Sequence, residues 1–195
     1  MKSWVKTVGS LAMVLLLASG CAMIAYARWT RPIADADAAM AAGDVGRALA
    51  SYAVAEKRFD AIPPLKRLLS SEYDRIIANQ LRMLFHTDRN EETIEKAARA
   101  PEGASPHFWA AAACFEQGRV EQDPSARLMY FGRAQQELMK AVGAAPDDWD
   151  AKFDLELALR LTFELRRAPQ TPPGELMKLL RPDPKAGSAP TKRAG

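Results

Sequence analysis

From Thr7 to Ala27 the chain carries no charged residue, whereas from Pro32 onward apolar residues recur at three- and four-residue spacing. The two textures predict different elements. Twenty-one uncharged residues at about 1.5 Å each give a helix of roughly 31 Å, about the thickness of a bilayer's hydrocarbon core. Lys2 and Lys6 precede the run, Arg28 and Arg31 follow it, and Trp4, Tyr26 and Trp29 flank it as interfacial aromatics do. The spacing beyond Pro32 predicts a series of amphipathic helices instead. The first begins near Ile33, passes through Asp35, Ala36, Ala39 and Met40, and stops at Gly43. The second, from about Val45 to Phe59, places Val45, Leu49, Tyr52, Ala53 and Ala55 or Glu56 near one face before Pro63 and Pro64 end it.

A third helix fits Leu65 to Phe85, with Leu65, Leu68, Leu69, Ile76, Ile77, Leu81 and Leu84 on one stripe. Asp88 and Glu91 have the spacing of a capping box for a fourth, Arg89 to Arg99. Ser105-Pro106 opens a fifth, carrying Phe108, Trp109, Ala112, Ala113 and Phe115 to a stop at Gly118. Asp123-Pro124 opens a sixth that runs to about Val142. Asp147 or Asp148 caps a seventh, with Trp149, Phe153, Leu155, Leu157, Ala158 and Leu161 along it. No run alternates apolar and polar residues between turn signals, so no strand is expected.

The fold class expected is therefore all-α, a TPR-like helical-repeat (α-solenoid) domain preceded by one transmembrane helix. The repeat signal lies in small and aromatic residues at fixed offsets in paired helices of a unit of about 34 residues. Gly43-Asp44 supplies the turn of one such unit, and Ala48, Tyr52 and Ala55 its close-contact positions. Ala134, Leu138, Ala141 and Pro146 repeat that pattern, and Gly118 after Ala111 and Cys114 marks another turn. Residues 1–31 form the anchor, 32–168 the helical domain and 169–195 a tail rich in proline, either solvated or a short basic docking segment, within which Gly174 to Leu180 has room for one or two helical turns.

Composition supports one anchor and one domain of ordinary size in 195 residues, of which 48% are hydrophobic and 26% charged. Setting aside Lys2 and Lys6 among the 27 basic residues leaves near balance with 24 acidic ones, so no electrostatic footprint for nucleic acid is expected. Two alternatives to an uncleaved anchor compete. One is a cleaved secretory peptide; the other is a lipoprotein, because Leu17-Ala18-Ser19-Gly20-Cys21 resembles a lipobox with Cys21 as the lipidated residue. All three place the main domain outside the cytoplasm.

Candidate chemistry is sparse. His86 and His107 have no His or Cys partner at metal-ligand spacing, and Cys114 sits among alanines as a buried filler would. No Gly-rich phosphate loop, G-x-S-x-G or H-E-x-x-H motif occurs. Asp147, Asp148, Asp150, Asp154 and Glu156 read as a helix cap and solvated face, lacking the glycine and distant glutamate of a calcium loop. Trp109, Trp149 and Phe153 read as core. No catalytic, cofactor-binding or metal residue is expected, and no cofactor; the chain is expected not to be an enzyme.

The segment Trp149-Asp150-Ala151-Lys152-Phe153-Asp154-Leu155-Glu156-Leu157-Ala158-Leu159-Arg160-Leu161 resembles one in MxaK-type proteins of methanol-oxidation gene clusters. Related TPR-like components occur in MoxR ATPase/von Willebrand A-domain operons, and the plan of anchor, helical domain and Pro-rich tail is similar to theirs. The resemblance implies a single-pass protein of the bacterial inner membrane with a periplasmic domain. It implies protein partners, either the operon products or the dehydrogenase subunits, and a scaffold role in maturing methanol dehydrogenase. The rival expectation is an envelope lipoprotein of a secretion or cell-envelope machine.

Overall fold

A computed structural model of the chain describes residues 2–167, with side chains described from Met13 onward. The expected tail, 169–195, and the short helix at Gly174–Leu180 lie outside the described residues, as do the side chains of Lys2, Trp4 and Lys6. Among the described residues the chain is helical, with no strand. Its helices are α1 Lys2–Ala41, α2 Val45–Ala61, α3 Pro63–Leu68, α4 Ser70–His86, α5 Asn90–Ala97, α6 Pro106–Val120, α7 Pro124–Ala144 and α8 Trp149–Arg167, with a 3-10 turn at Glu102–Ala104. Short links fold successive helices back on one another: α1 packs on α2, α6 on α7 and α7 on α8, while α4 joins α2, α5 and α6.

α1 fuses two elements that the sequence separates. The anchor and the first domain helix form one helix of 40 residues that runs through Pro32. Proline has no N–H for the Arg28 carbonyl one turn back. Arg58 of α2 supplies donors there: its guanidinium donates to the Arg28 carbonyl at 3.1 Å and to the Trp29 carbonyl at 2.8 Å. The helix start expected at Ile33 is absent for that reason. Met13–Ala41 is long and apolar enough to cross a bilayer; its most apolar stretch has mean hydropathy 1.4 and is not buried by the rest of the chain. A signal sequence shares that length and hydropathy. Cys21 is exposed on this helix. Trp29 is not the free interfacial aromatic that the sequence suggests, since its ring packs on Phe59 with centroids 4.4 Å apart.

α1 ends where Gly43 adopts φ +77°, a left-handed conformation that glycine accepts without a Cβ penalty. The Gly43 N–H donates to the Met40 carbonyl at 3.1 Å and the Asp44 N–H to that of Ala39 at 2.9 Å, closing a Schellman motif. Asp44 then starts α2, its carboxylate accepting the Arg47 N–H at 3.0 Å. Small residues let the two helices approach: Ala36 and Ala48 are both fully buried. Tyr52, also fully buried, links three helices. Its hydroxyl donates to Asp37 on α1 and accepts from Asn79 on α4 at 2.8 Å, while Arg75 reaches Asp37 at 3.1 Å. Burial first, and Asp37 second, push the phenol up to about 12. One turn further along α2, Glu56 accepts from Gln80 of α4 at 3.0 Å and from Lys96 of α5 at 2.9 Å.

Several expected details change. The long third helix breaks at Leu69 (φ −114°, ψ +42°) into α3 and α4, beside the Ser70-Ser71 pair, and leaves Leu68 exposed. Ala53 faces solvent rather than the core of α2, because Ala48, Tyr52, Ala55 and Phe59 define its buried stripe. Asp88 forms no capping box. It takes φ +58° at the end of α4, where its N–H donates to the Phe85 carbonyl and the Arg89 N–H to that of Leu84, both at 3.0 Å. Asp88 thus terminates α4, and α5 begins without a side-chain cap. Gly118 does not stop α6 either; it is buried inside the helix against α7, where a Cβ would lie 3.1 Å from the Phe131 ring.

Candidate functional site

α6 begins at Pro106, which sets Phe108 and Trp109 in its first turn and Ala112, Phe115 and Glu116 one and two turns further along the same face. That face, the end of α4 and the middle of α8 enclose a groove of about 350 Å³, lined by Phe85, His86, Phe108, Trp109, Phe115 and Leu157. Ala112 keeps its floor low. Trp109 stands at the centre: its ring lies 5.4 Å from Phe108, 5.8 Å from Phe85 and 6.4 Å from His86, in tilted and edge-on arrangements. The volume falls within the range of small-ligand pockets and suits one or two large side chains of a bound segment.

One wall of the groove is acidic. Asp154 lines it, and burial, reinforced by Asp150 and Asp148, raises its carboxyl above the usual aspartate range. Asp154 forms no ion pair among the described residues. Glu116, on the opposite wall, holds Arg119 at 2.8 Å. A second compartment of about 410 Å³ continues the groove toward the end of α8, between Phe115, Phe131, Leu161 and Leu165, with Glu164, Arg119 and Arg127 at its edges. Phe115 lines both compartments.

Of the residues that the sequence singles out for chemistry, Trp109, Asp154 and His86 line the groove, and the others do not. His86 lies at the groove's edge and is exposed. His107 lies elsewhere, with Nδ1 2.7 Å from Glu137 and Nε2 3.4 Å from Glu102. Cys114 is fully buried, and burial pushes its thiol up, which disfavours the thiolate. Asp148 caps α8, accepting the N–H groups of Asp150 and Ala151 at 3.0 and 3.1 Å. Glu156 pairs with Arg160. Among the described residues no three His, Cys, Asp or Glu side chains are placed to hold a metal ion.

Two expected core residues are corrected. Trp149 is 77% exposed and Phe153 68%, because α8 turns Ala151, Ala158 and Thr162 toward α6 and α7. Phe163 is exposed on the same outer side. The sequence holds a signal for this: α8 carries large apolar residues all round, more than a single buried stripe can use. The groove itself is not foreseeable from spacing, since Phe85, Trp109 and Leu157 meet only after α4, α6 and α8 stack. No protein-family model, curated protein or solved structure matches the chain.

Proposed function

We propose that the chain is a membrane-tethered, TPR-like scaffold that holds protein segments in the groove between α4, α6 and α8. The observation that carries this reading is the groove itself: Phe85, Phe108, Trp109 and Leu157 are set on rigid helices yet left with unfilled space between them. Aromatic anchors of this kind dominate protein recognition, because they desolvate large area at little entropic cost. The helical pairs support a repeat reading, with Ala48 and Ala134 fully buried at equivalent close-contact positions of α2 and α7. The spanning-length α1 supports an anchor, which raises the effective concentration of the domain toward a membrane-bound partner. With the resemblance of Trp149–Leu161 to MxaK-type proteins, the process served is the periplasmic maturation of methanol dehydrogenase or of a related complex.

Complementation of a deletion strain tests the scaffold. Trp109→Ala with Leu157→Asp, present at normal abundance, is expected to fail, while single Ala variants of His107 and Cys114 succeed. A working groove variant, or a stably folded His107→Ala or Cys114→Ala chain without function, would overturn it.

A further inference from the structure

α8 packs on α7 with Ala151, Ala158 and Thr162 buried, and among the described residues no helix covers its opposite side. Six residues share that side: Trp149, Phe153, Glu156, Arg160, Phe163 and Arg167. They follow one another at spacings of four, three, four, three and four residues. This is the heptad spacing that keeps one seam of a helix turned toward a second helix. All six are exposed, and three of them are aromatic, where a face meant for water carries polar residues. None of the six lines either compartment of the groove, so the seam is a separate surface.

The order of the six selects what fits against them. Read from the far end they run Arg, Phe, Arg, Glu, Phe, Trp. Laid antiparallel on a copy of itself, the seam sets Phe153 against the partner's Phe163 and Glu156 against the partner's Arg160. Trp149 then meets the partner's Arg167. Each contact occurs twice about a two-fold axis, as a self-complementary interface requires. The layers are an aromatic pair, an ion pair and a cation over a ring, all of them favourable. A parallel pair in register would instead set Glu156 on Glu156 and Arg160 on Arg160. The same chemistry already operates within one chain: Glu156 pairs with Arg160, and the Arg167 guanidinium lies 4.4 Å over the Phe163 ring.

We propose that the outer face of α8 binds a second copy of this chain as an antiparallel helix pair. A helix of 19 residues is about 28 Å long, and one such pair lies at the small end of specific interfaces, below about 1,200 Å² in total. The dimer is therefore a weak one that dissociates in the micromolar range. Below about 1 μM the chain is a monomer, whose folding stability does not depend on this face. Because the groove lies outside the seam, the dimer carries two grooves and engages a partner with two matching segments more tightly than one groove does.

Sedimentation equilibrium of the full-length chain in density-matched detergent micelles, from about 1 to about 200 μM, tests the pairing. The native chain is expected to pass from monomer to dimer across that range. Glu156→Arg or Arg160→Glu alone sets like charges together twice and is expected to weaken the dimer at least about tenfold. Making both changes in one chain restores it, and so does mixing the two single variants. Trp149→Ser with Phe153→Ser abolishes the dimer without changing helix content by circular dichroism, and Trp109→Ala in the groove leaves it intact. A native chain that stays monomeric throughout would overturn the proposal. So would a dimer indifferent to the single charge reversals, a double exchange that fails to restore it, or a dimer lost on Trp109→Ala.

Discussion

The two halves of the helical domain use their apolar residues differently. In α1, α2 and α4, large side chains are sealed: Tyr52, Phe59, Ile76, Ile77 and Leu81 are each at most 2% exposed. In α6, α7 and α8 the sealed positions are mainly small, Ala111, Ala113, Ala134 and Ala158 among them, and Trp149, Phe153 and Phe163 face outward. Alanine contacts bring helices close but bury little area, and buried area is what stabilises a core. The half that packs on α1 therefore gains more from burial, and the far half leaves large apolar side chains exposed.

The largest expected effect separates the halves directly. Leu81→Ala removes a fully buried side chain from the first core and is expected to cost about 2–5 kcal/mol in urea denaturation. Trp149→Ser with Phe153→Ser changes two larger side chains in the far half, yet is expected to stay within about 0.5 kcal/mol. Equal losses from the two variants would mean that the outer face of α8 is covered, and the contrast would fail.

A smaller effect is expected where the apolar stretch of α1 meets the helical domain. Arg58→Ala leaves the Arg28 carbonyl with neither a proline N–H nor a guanidinium to accept from. The expected loss is about 1–3 kcal/mol, with faster amide exchange around Arg31 and Ile33 than in α4. Arg58→Lys, which restores a single donor, should recover part of it. Unchanged exchange at the junction would show that Pro32 is accommodated by other means.

The division is half legible in the sequence. Helix periodicity locates most elements because their buried stripes are regular: Ala48, Tyr52, Ala55 and Phe59 on α2 keep to spacings of three and four. Local signals fail where one residue has two roles to choose between. Asp88 reads as an N-cap but ends the preceding helix, and Pro32 reads as a start but is bridged by a residue 26 positions later. The groove is illegible for a different reason. Phe85, Trp109, Asp154 and Leu157 come from three helices, and no spacing along the chain records which helices stack. Residue type alone misplaces Trp149 and Phe153 in the core, whereas the orientation of α8 is set by Ala151 and Ala158.

The smallest effect tests whether the far half has any electrostatic tie comparable to the Tyr52 and Glu56 networks. Glu137 on α7 is its best candidate, 2.7 Å from His107 of α6 and 2.9 Å from Lys140. Burial alone would raise this carboxyl, but hydrogen bonds from Lys140 and His107 outweigh it and hold it below the usual glutamate range. A depressed carboxylate stabilises the fold above its unfolded pKa, and that contribution disappears as pH falls through the folded value. Glu137→Gln should therefore lower stability by under about 1 kcal/mol at pH 7, given partial solvent screening. The difference should persist to about pH 5 and close between about pH 5 and pH 3. Urea midpoints of the two proteins across that range measure it. A gap that widens on acidification would reverse the sign, and would remove Glu137 as a tie between α6 and α7.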